Sequence, residues 1–306
     1  MKAVNTAASV RYRLKEKADS LGLEFQSAVQ YYAIERFLFR LSKSTWADRL
    51  VVKGAVMLRV WDGAVARPTR DIDFLGRVPN TPEHVEAIVA ECLAIQVDDG
   101  MVFAEEVRAQ AIKVAERYPG VRVRVTGDLA GARFVLWVDI GVDDAVVPEP
   151  SWVDYPTLLA GEMPRVLAYR PATAIAEKAH AMVDLGLANS RLKDYYDIWM
   201  LSKSVTIEGN ELREALVATF SKRDTALPLA TPAGLSDAFA SNADARVRWQ
   251  AYRASLAKSG IEAPDDLTEV LADVASFVGP ALAAAVSDGR FEQQWTPEGG
   301  WQGMGK

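Results

Sequence analysis

Val51–Gly76, VVKGAVMLRVWDGAVARPTRDIDFLG, contains the tripeptide Asp71-Ile72-Asp73, the most informative feature of the chain. Ile72-Asp73-Phe74-Leu75 has the β-branched and aromatic content of a buried strand. Side chains on a strand alternate between faces, so Asp71 and Asp73 point the same way. Two carboxylates side by side repel unless positive charge lies between them, and hard oxygen donors suit Mg²⁺. Magnesium held by such a pair implies a triphosphate substrate. Upstream, Lys53-Gly54-Ala55 follows the β-rich run Leu50–Val52 and opens a helix over Val56–Trp61. Small residues there let backbone N–H groups approach a phosphate, and a helix N-terminus favours negative charge. Such turns are common, so the weight comes from the spacing ahead of the acid pair.

A two-metal site needs a third carboxylate. Asp139 lies near the end of a second apolar strand, Phe134–Ile140 (FVLWVDI). An acid in a buried strand is costly unless paired or metal-bound. Three carboxylates on neighbouring strands can hold two Mg²⁺ about 3.5–4 Å apart, one on the attacking oxygen and one on the leaving phosphate. The competing assignment is an acid capping the turn at Gly141. Thr69 stands two residues before Asp71, so on an extended backbone its hydroxyl faces the same site; alternatively it stabilises the Pro68 loop.

The 306 residues are half apolar and a quarter charged, enough for one large domain or two medium ones. No apolar run near the ~20 residues of a membrane span is evident, and the N-terminus lacks an export signal, so a cytoplasmic protein without membrane contact is expected. The single cysteine, Cys92, excludes an internal disulfide framework and a Cys-based zinc site, and two histidines argue against a His-rich metal centre. Net charge is −6, without the global basic signature of a nucleic-acid binder. A phosphate backbone responds to local patches, however. Arg11, Arg13, Lys15 and Lys17, and separately Arg122 with Arg124, form basic clusters that fit either a solvated face or such a patch.

Helical spacing of apolar residues over 9–43 predicts two helices broken near Leu21-Gly22. Thr81 caps a helix beginning at Pro82. Residues 101–126 mix a short strand or helix with the alternating strand Val121–Thr126. Four prolines between 148 and 164 mark a stretch of little regular structure before a strand at Arg165–Tyr169. From Pro171 the chain reads almost wholly helical to about Ser287, with a Gly-rich, frayed end. The order is therefore helices, a mixed α/β part, and helices, divided as 1–170 and 171–306.

Arg67-x-Thr69-x-Asp71-x-Asp73 after a strand, small turn and helix resembles the nucleotidyltransferase superfamily of DNA polymerase beta. A second block, Ala176-Glu177-Lys178-Ala179-His180-Ala181-Met182, is followed by Arg191-x-Lys193-Asp194-Tyr195-Tyr196-Asp197-Ile198-Trp199. Together they are similar to the AbiEii branch, toxins of abortive infection and of related mycobacterial toxin–antitoxin systems. The resemblance covers about Val51 to Leu201. It implies an α/β (α+β) fold: a polymerase-beta-like core with a mixed sheet, N-terminal helices and a C-terminal helical lobe. Where that superfamily more often has Gly-Gly or Gly-Ser, this chain has Gly54-Ala55, which removes a hydroxyl from any phosphate contact there.

The resemblance gives further residues roles. Lys178, which alone reads as part of a solvated helix face, becomes a point charge for triphosphate oxygens. Asp194 orients Lys178 or contacts the nucleotide, with Asp197 as its competitor; Arg191 adds a phosphate contact. Asp71, Asp73 and Asp139 become Mg²⁺ ligands, and Lys53, Gly54 and Ala55 nucleotide-binding positions. In some family members the hydroxyl matching Thr69 is phosphorylated when an antitoxin silences the toxin; a phosphate would add about −1.5 to −2 charges beside the site. Tyr195, Tyr196 and Trp199 read as core, as do His84, His180 and Cys92. The implied activity is template-independent transfer of NMP from NTP to the 3′ end of tRNA, with a cognate antitoxin as partner. Alternatives are a small-molecule or protein hydroxyl as acceptor, or a non-catalytic nucleotide-binding regulatory module.

Overall fold

A computed structural model describes residues 6–63, 67–114, 118–287 and 289–303. The chain divides into two compact units, Met1–Asp143 with Ser151–Ala168, and Asp144–Pro150 with Tyr169–Lys306. In the first unit, α1 (Ala7–Ser20) and α2 (Phe25–Ser42) precede β1 (Leu50–Lys53). A 3₁₀ turn, Gly54–Met57, and the short α3 (Leu58–Asp62) lead to β2 (Asp71–Gly76) and α4 (Pro82–Ala94). Then come β3 (Val102–Phe103), β4 (Arg108–Val114), β5 (Tyr118–Leu129), β6 (Ala132–Gly141), β7 (Ser151–Asp154) and β8 (Arg165–Ala168).

These strands form one mixed sheet in the order β3-β5-β6-β2-β1-β8-β7, with β4 also paired to β5. The β2–β6 and β1–β8 pairings are parallel and the remainder antiparallel. Alternation gives the sheet two unlike faces. Ile72, Phe74, Val121, Val123, Val125, Leu136, Val138 and Ile140 are buried in one core with residues of α2 and α4. The residues between them, including Asp71, Asp73, Arg122, Trp137 and Asp139, occupy the opposite face.

The break between the first two helices falls at Leu21-Gly22, where Gly22 takes φ +65°. Thr81 Oγ1 caps α4 by accepting from His84 N at 3.3 Å, with Pro82 in the first turn. Helix α2 is buried nearly all round, so its polar side chains need partners. Glu35 accepts from Arg59 Nη1 at 2.8 Å and from Leu158 N at 3.1 Å, and Arg40 pairs with Asp99 at 2.6 Å. Burial lifts the Glu35 carboxyl above its ordinary value although Arg59 pulls it down.

Two irregular stretches contain more strand than expected. Residues 101–126 hold β3 and β4, with no helix among the described residues, and the proline-rich segment contains β7, which pairs with β8. β3 and β7 are 2 and 4 residues long, too short for a period to mark, and β4 lies in the stretch where the sequence leaves strand or helix open.

The second unit contains α5 (Pro171–Leu185), α6 (Leu192–Ser204), β9 (Ile207–Glu208), α7 (Gly209–Lys222), α8 (Asp237–Ala240), α9 (Ala243–Ala257) and α10 (Leu267–Val286). It closes with β10 (Gln293–Thr296) and β11 (Gly300–Gly303). The expectation of a frayed, Gly-rich end is wrong for these strands. They form a hairpin joined to β9, and Trp295 and Trp301 lock it down. Trp295 Nε1 donates to Ser202 O at 2.8 Å and Trp301 Nε1 to Phe277 O at 2.9 Å, with Phe277 and Trp295 ring centroids 4.6 Å apart. Composition had suggested a tail; two indoles give it a buried anchor.

A second correction concerns α10. By length and composition it is apolar enough to cross a membrane, contrary to the absence of any such run noted from the sequence. Its apolar side, including Val270, Val274, Phe277, Val278 and Ala281, is buried within the unit. A core helix packed on several sides needs the same composition.

Trp295→Ala should lower the unfolding free energy by about 3 kcal/mol, the usual cost of removing a large buried aromatic. Urea denaturation of the purified chain measures this. A change below about 1 kcal/mol would mean that the hairpin is not an integral part of the unit.

Candidate active site

Register decides which side chains meet on the polar face of the first unit's sheet. Lys53 on β1 pairs with Asp73 on β2, Asp73 is in register with Asp139 on β6, and Asp139 pairs with Arg122 on β5. One step along, Asp71 is in register with Trp137, which pairs with Arg124. In-register neighbours share a face, so four strands carry the row Lys53–Asp73–Asp139–Arg122, with Asp71 beside it. Lys53 and Asp139 are buried, whereas Asp71 and Asp73 are half-buried.

Asp139 does not cap the Gly141 turn. Arg122 grips it with both prongs, Nε to Oδ1 at 2.7 Å and Nη2 to Oδ2 at 2.6 Å. The guanidinium also lies over the Trp137 ring, 5.4 Å from its centroid. The hydrogen bonds to Asp139 hold Arg122 still more firmly protonated than usual, with the charges of Asp139, Asp71 and Asp73 acting in the same direction. From sequence Arg122 could be placed only in a basic cluster with Arg124. Alternation in Val121–Thr126 set its face, but only the β5–β6 register reveals its partner.

Gly54 meets a demand of the same site. Its φ is +73°, and a Cβ there would lie 2.9 Å from Asp73 Cγ and closer still to Oδ2. The turn after β1 therefore lies directly against the Asp73 carboxylate, an approach only glycine permits. The expected helix opening is modified: Gly54–Met57 is 3₁₀, with Ala55 buried in it, and the α-helix proper starts at Leu58. Thr69 Oγ1 accepts from Asp71 N at 3.3 Å and donates to Asp71 O at 3.1 Å. Its hydroxyl thus fixes the entry of β2, as a turn threonine does.

The second unit holds another charged cluster. Lys178 on α5 donates to Asp194 Oδ1 at 3.0 Å and to Asp197 Oδ2 at 2.7 Å. Arg191 Nε reaches the other Asp194 oxygen at 2.6 Å. Both competitors for Lys178 are therefore partners, because positions three apart share a helix face. Asp194 sits in the first turn of α6, where a negative charge is favoured. Its burial would raise its pKa, but Lys178 and Arg191 outweigh that and hold it below the ordinary carboxylate range. His180 bonds Thr225 Oγ1 at 2.9 Å, and Tyr195 stacks on Phe239, so both serve packing.

Asp71 and Asp73 suit a hard divalent cation: two half-buried carboxylates on one strand face, with Gly54 against Asp73. Asp139 offers the same chemistry in register with Asp73, but both its oxygens face Arg122. Among the described residues no three acidic, His or Cys side chains converge as a metal site. The donor set fits a cation at the pair, with Asp139 beside it in register and held by Arg122.

A family model described as nucleotidyl transferase AbiEii toxin, type IV TA system, matches residues 36–275. A crystal structure of a nucleotidyltransferase candidate from H. pylori is similar at TM-score 0.50 and 16% identity, covering 87% of this chain and 97% of that one. The structure of JHP933 from Helicobacter pylori gives TM-score 0.45 and 14% identity, over 87% and 94%. The first likeness concerns the fold alone. No match was found among curated proteins.

Gly54→Ala should destabilise the chain by at least about 1 kcal/mol through its left-handed backbone alone. Part of that loss should disappear in an Asp73→Ala background, where the opposing carboxylate is gone. A double-mutant cycle with no coupling would contradict the contact.

The depressed Asp194 pKa makes a pH prediction. Its stabilisation is present above the ordinary value of about 3.9 and is lost as pH falls through the lower folded value. Asp194→Asn should cost about 3 kcal/mol at pH 7. In melts on acidification that gap should close, and a pH-independent gap would contradict the ion pair.

Proposed function

This chain belongs to the AbiEii nucleotidyltransferase toxin family of type IV toxin–antitoxin systems, and from that premise we propose that it transfers NMP from an NTP to the 3′ end of tRNA. The acceptor 3′ oxygen attacks the α-phosphorus, the bond from that phosphorus to the bridging oxygen of the β-phosphate breaks, and pyrophosphate leaves. The modified tRNA can no longer be aminoacylated, so translation in the cytoplasm stops.

What supports this function above all is the placement of Asp71, Asp73 and Asp139 on one face of adjacent parallel strands. Asp71 and Asp73 would hold a divalent cation, Mg²⁺ by their oxygen chemistry, with Asp139 as a further ligand. When bound, such a cation polarises the phosphoryl group and lowers the pKa of the attacking hydroxyl. Lys53, buried opposite Asp73, offsets part of the negative charge that the acids gather. Gly54 and the neighbouring Ala55 keep the chain close to Asp73 with no side chain in the way.

Lys178 acts on triphosphate oxygens as a point charge, its ammonium oriented by Asp194 and Asp197. Arg191 adds a fork donor and is the more exposed of the two cations. Thr69 is a candidate for phosphorylation under control of a cognate antitoxin. A phosphate there would break its bonds to the Asp71 backbone and place negative charge beside the acids.

Incubation with each labelled NTP, Mg²⁺ and total tRNA tests the proposal. Label should enter tRNA, and Asp73→Asn should lower the rate by at least about 100-fold. Label on protein or on a small molecule instead would move the acceptor to another class. If no NTP is consumed and Asp73→Asn leaves growth arrest unchanged, the enzymatic function is wrong.

A further inference from the structure

We propose that Arg122 is a latch on the candidate cation site, holding Asp139 as its ion-pair partner until a divalent cation displaces it. The inference rests on the reading that Asp71, Asp73 and Asp139 bind a metal. Two cations flank these acids, one on each side of the row. Lys53 is buried in β1, whereas the Arg122 side chain is 33% exposed against 10% for Asp139. Only Arg122 can therefore leave its place without disturbing the core.

Charge leads to the same result. With Lys53, Arg122 and three carboxylates, the group carries a formal −1 (two positive, three negative). A divalent cation entering with Arg122 in place would bring it to +1, and with Arg122 withdrawn to 0. Withdrawal also frees the lone pairs on both Asp139 oxygens that the guanidinium now occupies. Trp137 gives the displaced side chain a surface to rest on, since the guanidinium already lies over that ring.

A purely structural cross-strand pair is the competing explanation. An ordinary pair of this kind stays closed while a metal binds at Asp71 and Asp73, and cutting it acts on affinity only through the loss of one nearby positive charge. A latch competes with the metal, so removing it strengthens metal binding.

Binding of Mn²⁺ alone, read by electron paramagnetic resonance of the full chain, tests the competition, and the state of Arg122 in the parent separates the two. Arg122→Gln should bind Mn²⁺ about 5- to 10-fold more tightly than the parent, the effect of one close charge. Arg124→Gln removes an exposed charge on the same strand face and should change affinity by less than about 2-fold. Equal affinity of Arg122→Gln and parent, or equal gains in both variants, would overturn the latch and leave the metal site standing. Absence of Mn²⁺ binding in the parent and in Arg122→Gln would overturn both. The parent itself supplies a second measurement that does not depend on a variant folding. The Arg122 Nε–H resonance should shift on Mg²⁺ titration in the parent and not in Asp73→Asn, and an unmoved resonance at saturating Mg²⁺ contradicts displacement.

Discussion

The parallel register of β2 and β6, with Asp73 beside Asp139, is the constraint on which the candidate site depends. A slip of one residue would turn the acids to the apolar face and put Ile72 or Val138 in their place. The apolar side chains that alternate with the acids prevent that slip. Ile72, Phe74, Leu136, Val138 and Ile140 fill the core against α2 and α4. Packing on one face thus positions charge on the other, and stability and chemistry are set by the same pairing.

Gathering three carboxylates on neighbouring strands would be unfavourable in isolation. The row answers that with a cation at each end, Lys53 and Arg122, and with a glycine that lets the β1 turn close on Asp73. The two cations differ in a way that bears on function: one is built into the core and one can move. Buried charges elsewhere in this unit show the contrasting case. Glu35 with Arg59 and Arg40 with Asp99 are sealed pairs that hold segments distant in sequence to α2. Their role is structural, because neither partner reaches solvent.

Much of this was legible from the residues. The Asp71-x-Asp73 alternation, the β6 strand around Asp139, the capped start of α4 and the break after α1 all follow from local rules of period and capping. The pairing of Asp139 with Arg122 was not, because it follows from the hairpin register of β5 and β6, which the turn at Ala130-Gly131 sets and neither strand's own pattern reveals. The partnership of Lys178 with both Asp194 and Asp197 lay between these levels: the family resemblance offered both carboxylates and could not choose. The C-terminal hairpin was missed for another reason. Its glycines suggested loose chain, while the two tryptophans that pin it act through partners about 20 and 90 residues away.

Anomalous diffraction from crystals grown with Mn²⁺ and a non-hydrolysable NTP tests the central claim most directly, because it reports metal position independently of turnover. The account predicts a peak coordinated by Asp71 and Asp73, with Asp139 turned from Arg122 toward it. A fully occupied nucleotide with no metal on Asp71 or Asp73, and Arg122 still closed on Asp139, would contradict it.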